Sequence, residues 1–284
     1  MIVPLQPPVI APHRASGPPV LPGPWLRRSL RFGWAQLKPW ILPFVVLAGW
    51  EGCADLGWLP TRILPAPSHV IGVGWRLTRS GELPMHIWAS TERAAVAMAI
   101  GALLGIGLGL ASGLFRWVED YLDSSIQMLR TIPSLALIPM AILWFGIGEE
   151  CKLFLMVVGA FFPLYITTYL GIRSIDQRLI EVARIYGLSR GELIRHVLLP
   201  AALPSVLVGL RMSFGLMWIN LIVVETIATD RGIGYLVNNA REFMQTDIIV
   251  LGILLYALLR KLADSSVRLI ERRVVTWKSQ FQGL

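Results

Sequence analysis

The chain has 284 residues, 55% of them hydrophobic and 15% charged, with a mean hydropathy of +0.61. Soluble domains carry roughly 25% charged residues, so the composition excludes a water-soluble globule of this size. The formal charge of +8 raises nucleic acid as a partner, which the placement of the basic residues then excludes.

Residues 1–24 hold eight prolines, a density that favours an extended, unfolded tail. The first strong apolar run begins only near Trp40, too far in for a secretory signal. Residues 1–38 are therefore set aside as a cytoplasmic tail. Apolar runs then predict about six membrane spans in an all-α chain, near 39–59, 94–114, 124–148, 153–172, 205–228 and 243–262. The run Ala94–Leu114 has no charge at all, and the third span has its apolar part over Thr131–Gly148. The fifth is broken only by Glu225. The first is interrupted by Glu51 and Asp55, and the last is uninterrupted only over Ile248–Leu259. An apolar run of about 12 residues suits an interfacial helix as well as a span. Residues 265–284 form a C-terminal tail.

With six spans and both ends inside, the basic residues sort unevenly. Inside fall five in the N-terminal tail, Arg116, five between Arg173 and Arg195, and six from Arg260 to Lys278. Outside fall Arg62, Arg76, Arg79, Lys152, Arg231 and Arg241. That asymmetry is the orientation signal of a membrane protein.

Cys53 and Cys151 both fall near outer span ends, as a disulfide on the oxidising side or as small apolar residues. No metal-ligand spacing joins them to His13, His69, His86 or His196, so no metal is expected. No glycine is followed by lysine anywhere, which excludes a P-loop in this chain. Paired catalytic groups of a hydrolase are absent too.

Gly101, Gly105, Gly109 and Gly113 recur every fourth residue, a ridge that lets a second helix approach closely. It serves packing within one subunit, the commoner use, or a seam between two. Pro133, Pro139 and Pro163 break their helices, either to line a pathway or as packing kinks. Asn220 and Glu225 lie in the fifth span. A carboxylate there faces protein or a watery cavity, or marks the interface if the span ends beside it.

Between the fourth and fifth spans lies a charged stretch, residues 176–204. Leu179, Val182 or Ala183, and Tyr186 recur at helical spacing, and Gly187 follows as a left-handed stop. Ser189-x-x-Glu192 reads as a capping box that starts a second helix. That helix presents Leu193, Ile194, Val197 and Leu198 on one face, and Pro200 closes it. The product is a helix–glycine–helix elbow with an apolar face, arginines around it and no catalytic group.

The pattern Glu181-x-Ala183-x-x-x-Gly187, nine residues, then Val197-x-Leu199-Pro200 resembles the EAA loop of ABC importer permeases. Val182 departs from the usual alanine and Val197 from the usual isoleucine. The resemblance runs from about Trp40 to Trp277. It is closest to aliphatic sulfonate permeases of the nitrate/sulfonate/taurine group, through "TRILPAPSHV", "SSIQMLRTIPSLALIPMAILWFGIGEE", "GLMWINLIVVETIATDRGIGYL" and "NNAREFMQTD". It implies a type I ABC importer permease fold in a bacterial inner membrane, with both termini cytoplasmic. It further implies two permease copies, a separate cytoplasmic ATPase that carries ATP and Mg, and a periplasmic binding protein, with no cofactor in this chain. Glu181, Ala183, Gly187, Ser189, Glu192, Val197, Leu199 and Pro200 would couple to the ATPase. Small sulfonates would be the substrate, with taurine, nitrate or another small anion as alternatives and a secondary transporter as the competing class.

An anion crossing an apolar route needs donors along it. Arg130 and Arg211 are expected at the cytoplasmic ends of the third and fifth spans, where an arginine also anchors a helix at the interface. Trp218, Asn220 and Thr226 offer neutral donors deeper in. With Pro133, Pro139 and Glu225 these make up the candidate pathway: a weak route with no tight buried cation.

Overall fold

The computed structural model describes residues 41–60, 62–227 and 229–275. The proline-rich tail 1–38 and the end of the C-terminal tail, 276–284, lie outside them. The chain divides between Gly52 and Cys53 into two units. Of the first, residues 41–52 are described and helical, part of a helix α1 over 41–55. No strand occurs among the described residues.

Between short loops, the described residues of the second unit form helices. Two short ones were not visible as apolar runs: α2 (Pro67–Arg79), started by its proline, and α10 (Ile233–Glu242). The long ones are α3 (Glu82–Leu114), α6 (Glu149–Arg173), α9 (Leu199–Ile227) and α11 (Thr246–Val274). At 1.5 Å per residue, α3 extends about 50 Å, well beyond a hydrocarbon core of about 30 Å. The expected span 94–114 is its C-terminal part.

Among the described residues, three helices are long and apolar enough to cross a membrane: α3, α6 and a continuous helix over Arg190–Ile227. A bent pair makes a fourth if taken as one span: α4 (Arg116–Arg130), then a 3-10 turn (Ser134–Leu137) leading into α5 (Ile138–Phe145), at 89° to each other. The expected third span, 124–148, is therefore not one helix. Pro133 has no N–H to give and biases Ile132 away from helical backbone, so the chain turns there. The other two prolines do not break their helices. Pro139 sits in the first turn of α5 and Pro163 lies inside an unbroken α6. Within α11 the apolar stretch is closed by Arg260 and Lys261.

The core is a three-helix hub of α3, α6 and α9. Along the glycine ridge, a Cβ on Gly101 would come within 2.6 Å of Ala160 Cβ, one on Gly105 within 2.8 Å of Leu164 Cβ, one on Gly109 within 2.8 Å of Thr168 Cβ, and one on Gly113 within 2.8 Å of Ile172 Cβ. Each glycine thus meets the residue 59 positions later, so α3 and α6 run parallel in contact along their length. The ridge is occupied by packing inside the chain. On its other face α6 meets α9 antiparallel, where the Ser213 hydroxyl donates to the Ala160 carbonyl at 2.6 Å. Cys53 and Cys151 are free thiols, Cys151 buried.

Candidate functional site

The elbow begins with α7 (Gln177–Ile185), capped by Asp176, whose carboxylate accepts from the Arg178 amide at 2.9 Å. It ends at Gly187, with φ +78°. The Leu188 amide donates back to the Ala183 carbonyl at 3.1 Å and the Gly187 amide to Arg184 at 2.9 Å. These are the paired bonds of a Schellman stop, which needs a left-handed residue at this position. The capping box follows: Ser189 accepts from the Glu192 amide, and the Glu192 carboxylate accepts from the Ser189 amide at 2.8 Å. Both signals were legible in the sequence.

The continuation differs from expectation. A helix α8 (Arg190–Leu193) passes through a π turn (Ile194–Leu198) straight into α9, and Pro200 stands in the first turn of α9. Pro200 therefore closes nothing. A proline ring crowds the carbonyl four residues back and has no N–H, and the wider π turn beside it accommodates both defects. The two apolar faces have different surroundings. Leu193, Ile194 and Leu198 turn inward against Ile172 and Ala202, with Val197 half-buried. Ala183 is buried. The exposed apolar face belongs to α7: Leu179, Val182, Ile185 and Tyr186, the last two more than 80% exposed. Exposed Glu181, Arg178, Arg184 and Arg190 surround it, with Arg195 and Leu199 further along. Such a surface fits an apolar groove with an acidic rim.

At the opposite end of the hub, Glu225 is 1% exposed. Its carboxylate accepts from Ser90 Oγ at 2.7 and 2.8 Å, Arg93 Nη1 at 2.9 Å, the Gly234 amide at 2.9 Å and the Tyr256 hydroxyl at 2.9 Å. Arg93 also grips Glu149 with two bonds, at 2.7 and 2.9 Å, and Lys152 reaches Glu149 at 3.0 Å. Ser90 in turn accepts from the Ile233 amide at 2.8 Å. Two carboxylates and two cations thus tie α3, α6, α9, α10 and α11 together, satisfying a buried charge as burial requires. Glu225 sits inside protein. Its partners are not legible in the sequence: Arg93 looks like an ordinary charge flanking an apolar run, Ser90 and Tyr256 look like ordinary polar positions, and the Gly234 donor is backbone.

The remaining pathway candidates separate. Arg130, Pro133 and Asn220 line one cleft of about 460 Å³ between the turn after α4, the middle of α6, and α9. Ser134, not anticipated, joins them, its hydroxyl donating to Asn220 Oδ1 at 3.0 Å. Pro139 lies outside this cleft. Trp218 lines a smaller recess with Tyr256 and Arg260. Thr226 is exposed and its hydroxyl donates to the Val223 carbonyl. Arg211, expected at a helix end, lies near the middle of α9 (Leu199–Ile227) and is paired with Asp264 at 3.1 Å and Glu271 at 3.5 Å.

Residues 101–276 match the family described as binding-protein-dependent transport system inner membrane component. The aliphatic sulfonates transport permease protein SsuC, as it is named in Escherichia coli (strain K12), is 54% identical over 87% of this chain and 94% of its own length. The taurine transport system permease protein TauC of the same organism is 35% identical over 90% of this chain and 96% of its own. Among solved structures, an amino acid ABC transporter is similar at TM-score 0.58 over 69% of this chain and 97% of that one, at 17% identity. That similarity speaks for the fold, an all-helical permease. The match of more than half the chain makes the conclusion plain: this protein belongs to the binding-protein-dependent transport system inner membrane components.

Proposed function

We propose that the chain is the permease subunit of an ATP-driven importer of aliphatic sulfonates. Two copies form the pathway, a cytoplasmic ATPase docks on the elbows, and a periplasmic binding protein delivers the substrate. ATP and Mg reside on the ATPase, and this chain has no nucleotide site of its own. Six spans, formed by α1, α3, the bent α4–α5 pair, α6, α9 and α11, cross the inner membrane with both termini and the elbow on the cytoplasmic side. The excess of basic residues on that side supports the orientation.

The observation that carries the reading is the elbow. Its exposed apolar knob is held at a fixed angle by Gly187 and the capping box, and it leads without interruption into the helix that ends at Ile227. At 1.5 Å per residue this Arg190–Ile227 helix is a lever of about 57 Å. ATP-driven closure of the ATPase pair draws the elbows together, and the lever carries that displacement to Asn220 and beyond. The sulfonate substrate is supported by the relative that is 54% identical.

A strain lacking this gene should fail to grow on hexanesulfonate as sole sulfur source while growing normally on sulfate. Normal growth on hexanesulfonate with a defect on taurine would instead assign the taurine reading, which the 35% identical relative favours second.

A further inference from the structure

We propose that Arg130 is the anion-binding group of the pathway, seated near mid-membrane at the charged end of an amphiphilic cleft. The assignment rests on the sulfonate-importer reading and adds the site where the substrate pauses.

Depth is the first observation. The cleft residues on α6 run from Val158 to Ile166, and Gly159 is ten residues from the outer end of that helix and fourteen from the inner. At 1.5 Å per residue this is about 15 Å from one end and 21 Å from the other. A hydrocarbon core is about 30 Å thick, so the cleft sits near its middle. The sequence suggests Arg130 at the inner membrane edge. The structure carries it inward instead, because α4 climbs along α6: Tyr169 donates to Glu119 near the inner end, and Tyr165 to Asp123 one turn higher.

Charge is the second. A cation at mid-depth is costly unless it meets a counter-charge or a watery cavity. The lysines and arginines of α3, α6 and α9 all have partners: Arg93 has Glu225 and Glu149, Lys152 has Glu149, Arg173 has Glu119, and Arg211 has Asp264 and Glu271. Arg130 forms no ion pair with a carboxylate among the described residues. It is exposed in the cleft.

The third observation is the wall. Beyond Arg130 the polar side chains of the cleft are Ser134 and Asn220. The Ser134 proton is committed to Asn220, and one amide N–H of Asn220 to the Leu155 carbonyl at 2.7 Å. One Asn220 N–H is left, so the guanidinium is the principal donor for an anion. Phe162, Ile166, Met212 and Leu216 make the rest apolar. One cation facing an apolar wall complements a monoanion with an alkyl chain. Sulfate offers no chain to cover the wall and brings a second charge with nothing to meet it. A phospholipid offers the same head-and-chain chemistry, but its phosphate lies at the membrane surface rather than near mid-depth. The occupant is the free sulfonate.

The test uses the whole transporter, with its ATPase and binding protein, reconstituted with and without phosphatidylglycerol. Arg130→Gln should lower ATP-driven hexanesulfonate uptake at least about tenfold, while the ATPase stimulation by loaded binding protein stays within about twofold. Arg130→Lys should keep an intermediate rate. A cysteine introduced by Leu216→Cys should be shielded from maleimide by hexanesulfonate, not by sulfate, whatever the lipid, and the shielding should vanish with Arg130→Gln. Unchanged uptake by Arg130→Gln, or shielding that follows phosphatidylglycerol rather than hexanesulfonate, overturns the proposal. If Arg130→Gln does not assemble, Arg130→Lys decides: uptake and shielding retained at an intermediate or wild-type level support the cation, and loss of both with normal ATPase stimulation overturns it. A wild-type complex that moves no hexanesulfonate defeats the importer reading on its own, and the shielding assay still decides the site because it needs no transport.

Discussion

Replacing Gly187 with valine is expected to abolish ATP-driven uptake while the chain still reaches the membrane. The residue holds φ +78°, a region that costs an L-residue roughly 1–2 kcal/mol and a β-branched one more. No atom lies within 4 Å of where a Cβ would stand, so the penalty is in the backbone and not in a clash. The elbow relieves it by giving up the two amide bonds that end α7, and α7 then loses its angle to α8. The apolar knob of Leu179, Val182, Ile185 and Tyr186 swings with it. The spans do not depend on that angle, which separates docking from folding. Copurification of the ATPase with a tagged permease checks this: valine should lose the ATPase, alanine less so, and asparagine, which tolerates left-handed backbone, least. Wild-type uptake and copurification with valine would show a glycine that merely ends a helix.

Glu225→Ala should have the largest effect on stability. It leaves the Tyr256 hydroxyl, the Gly234 amide and Ser90 without their acceptor, and Arg93 short of one partner. Removing one member of a buried ion pair costs about 3–5 kcal/mol, which corresponds to a fall on the order of 10 °C in the melting temperature of a chain this size. Glu225→Gln keeps the shape and an acceptor oxygen while losing the charge opposite Arg93, and should fall in between. Thermal unfolding in detergent reads this directly. Melting of both variants at the wild-type temperature would mean the network is not what fastens α10 and α11 to the hub.

These two sites differ in how far the sequence reveals them. The Gly187 stop and the Ser189–Glu192 cap are local, made by residues three to five apart, so spacing alone identifies them. The apolar runs of α3, α6 and α9 are legible for the same reason, since a span must satisfy its backbone within itself. The Glu225 network is assembled from Ser90 and Arg93, 135 and 132 positions away, and no local pattern connects them. The depth of Arg130 depends on how α4 lies against α6, which is set by Glu119 and Asp123 meeting tyrosines on another helix. Pro200 misleads because its usual effect is absorbed by an adjacent π turn. Which side of the elbow faces out is not legible in the sequence because both of its helices are amphipathic, and only packing against Ile172 and Ala202 decides between them.

The most direct measurement is hexanesulfonate uptake into proteoliposomes holding this chain with or without its ATPase, with binding protein outside and ATP inside. Uptake is expected only when the ATPase, ATP and the binding protein are all present, with ATP hydrolysed in proportion. Uptake driven by an ion gradient through the permease alone would contradict it and make the protein a secondary transporter.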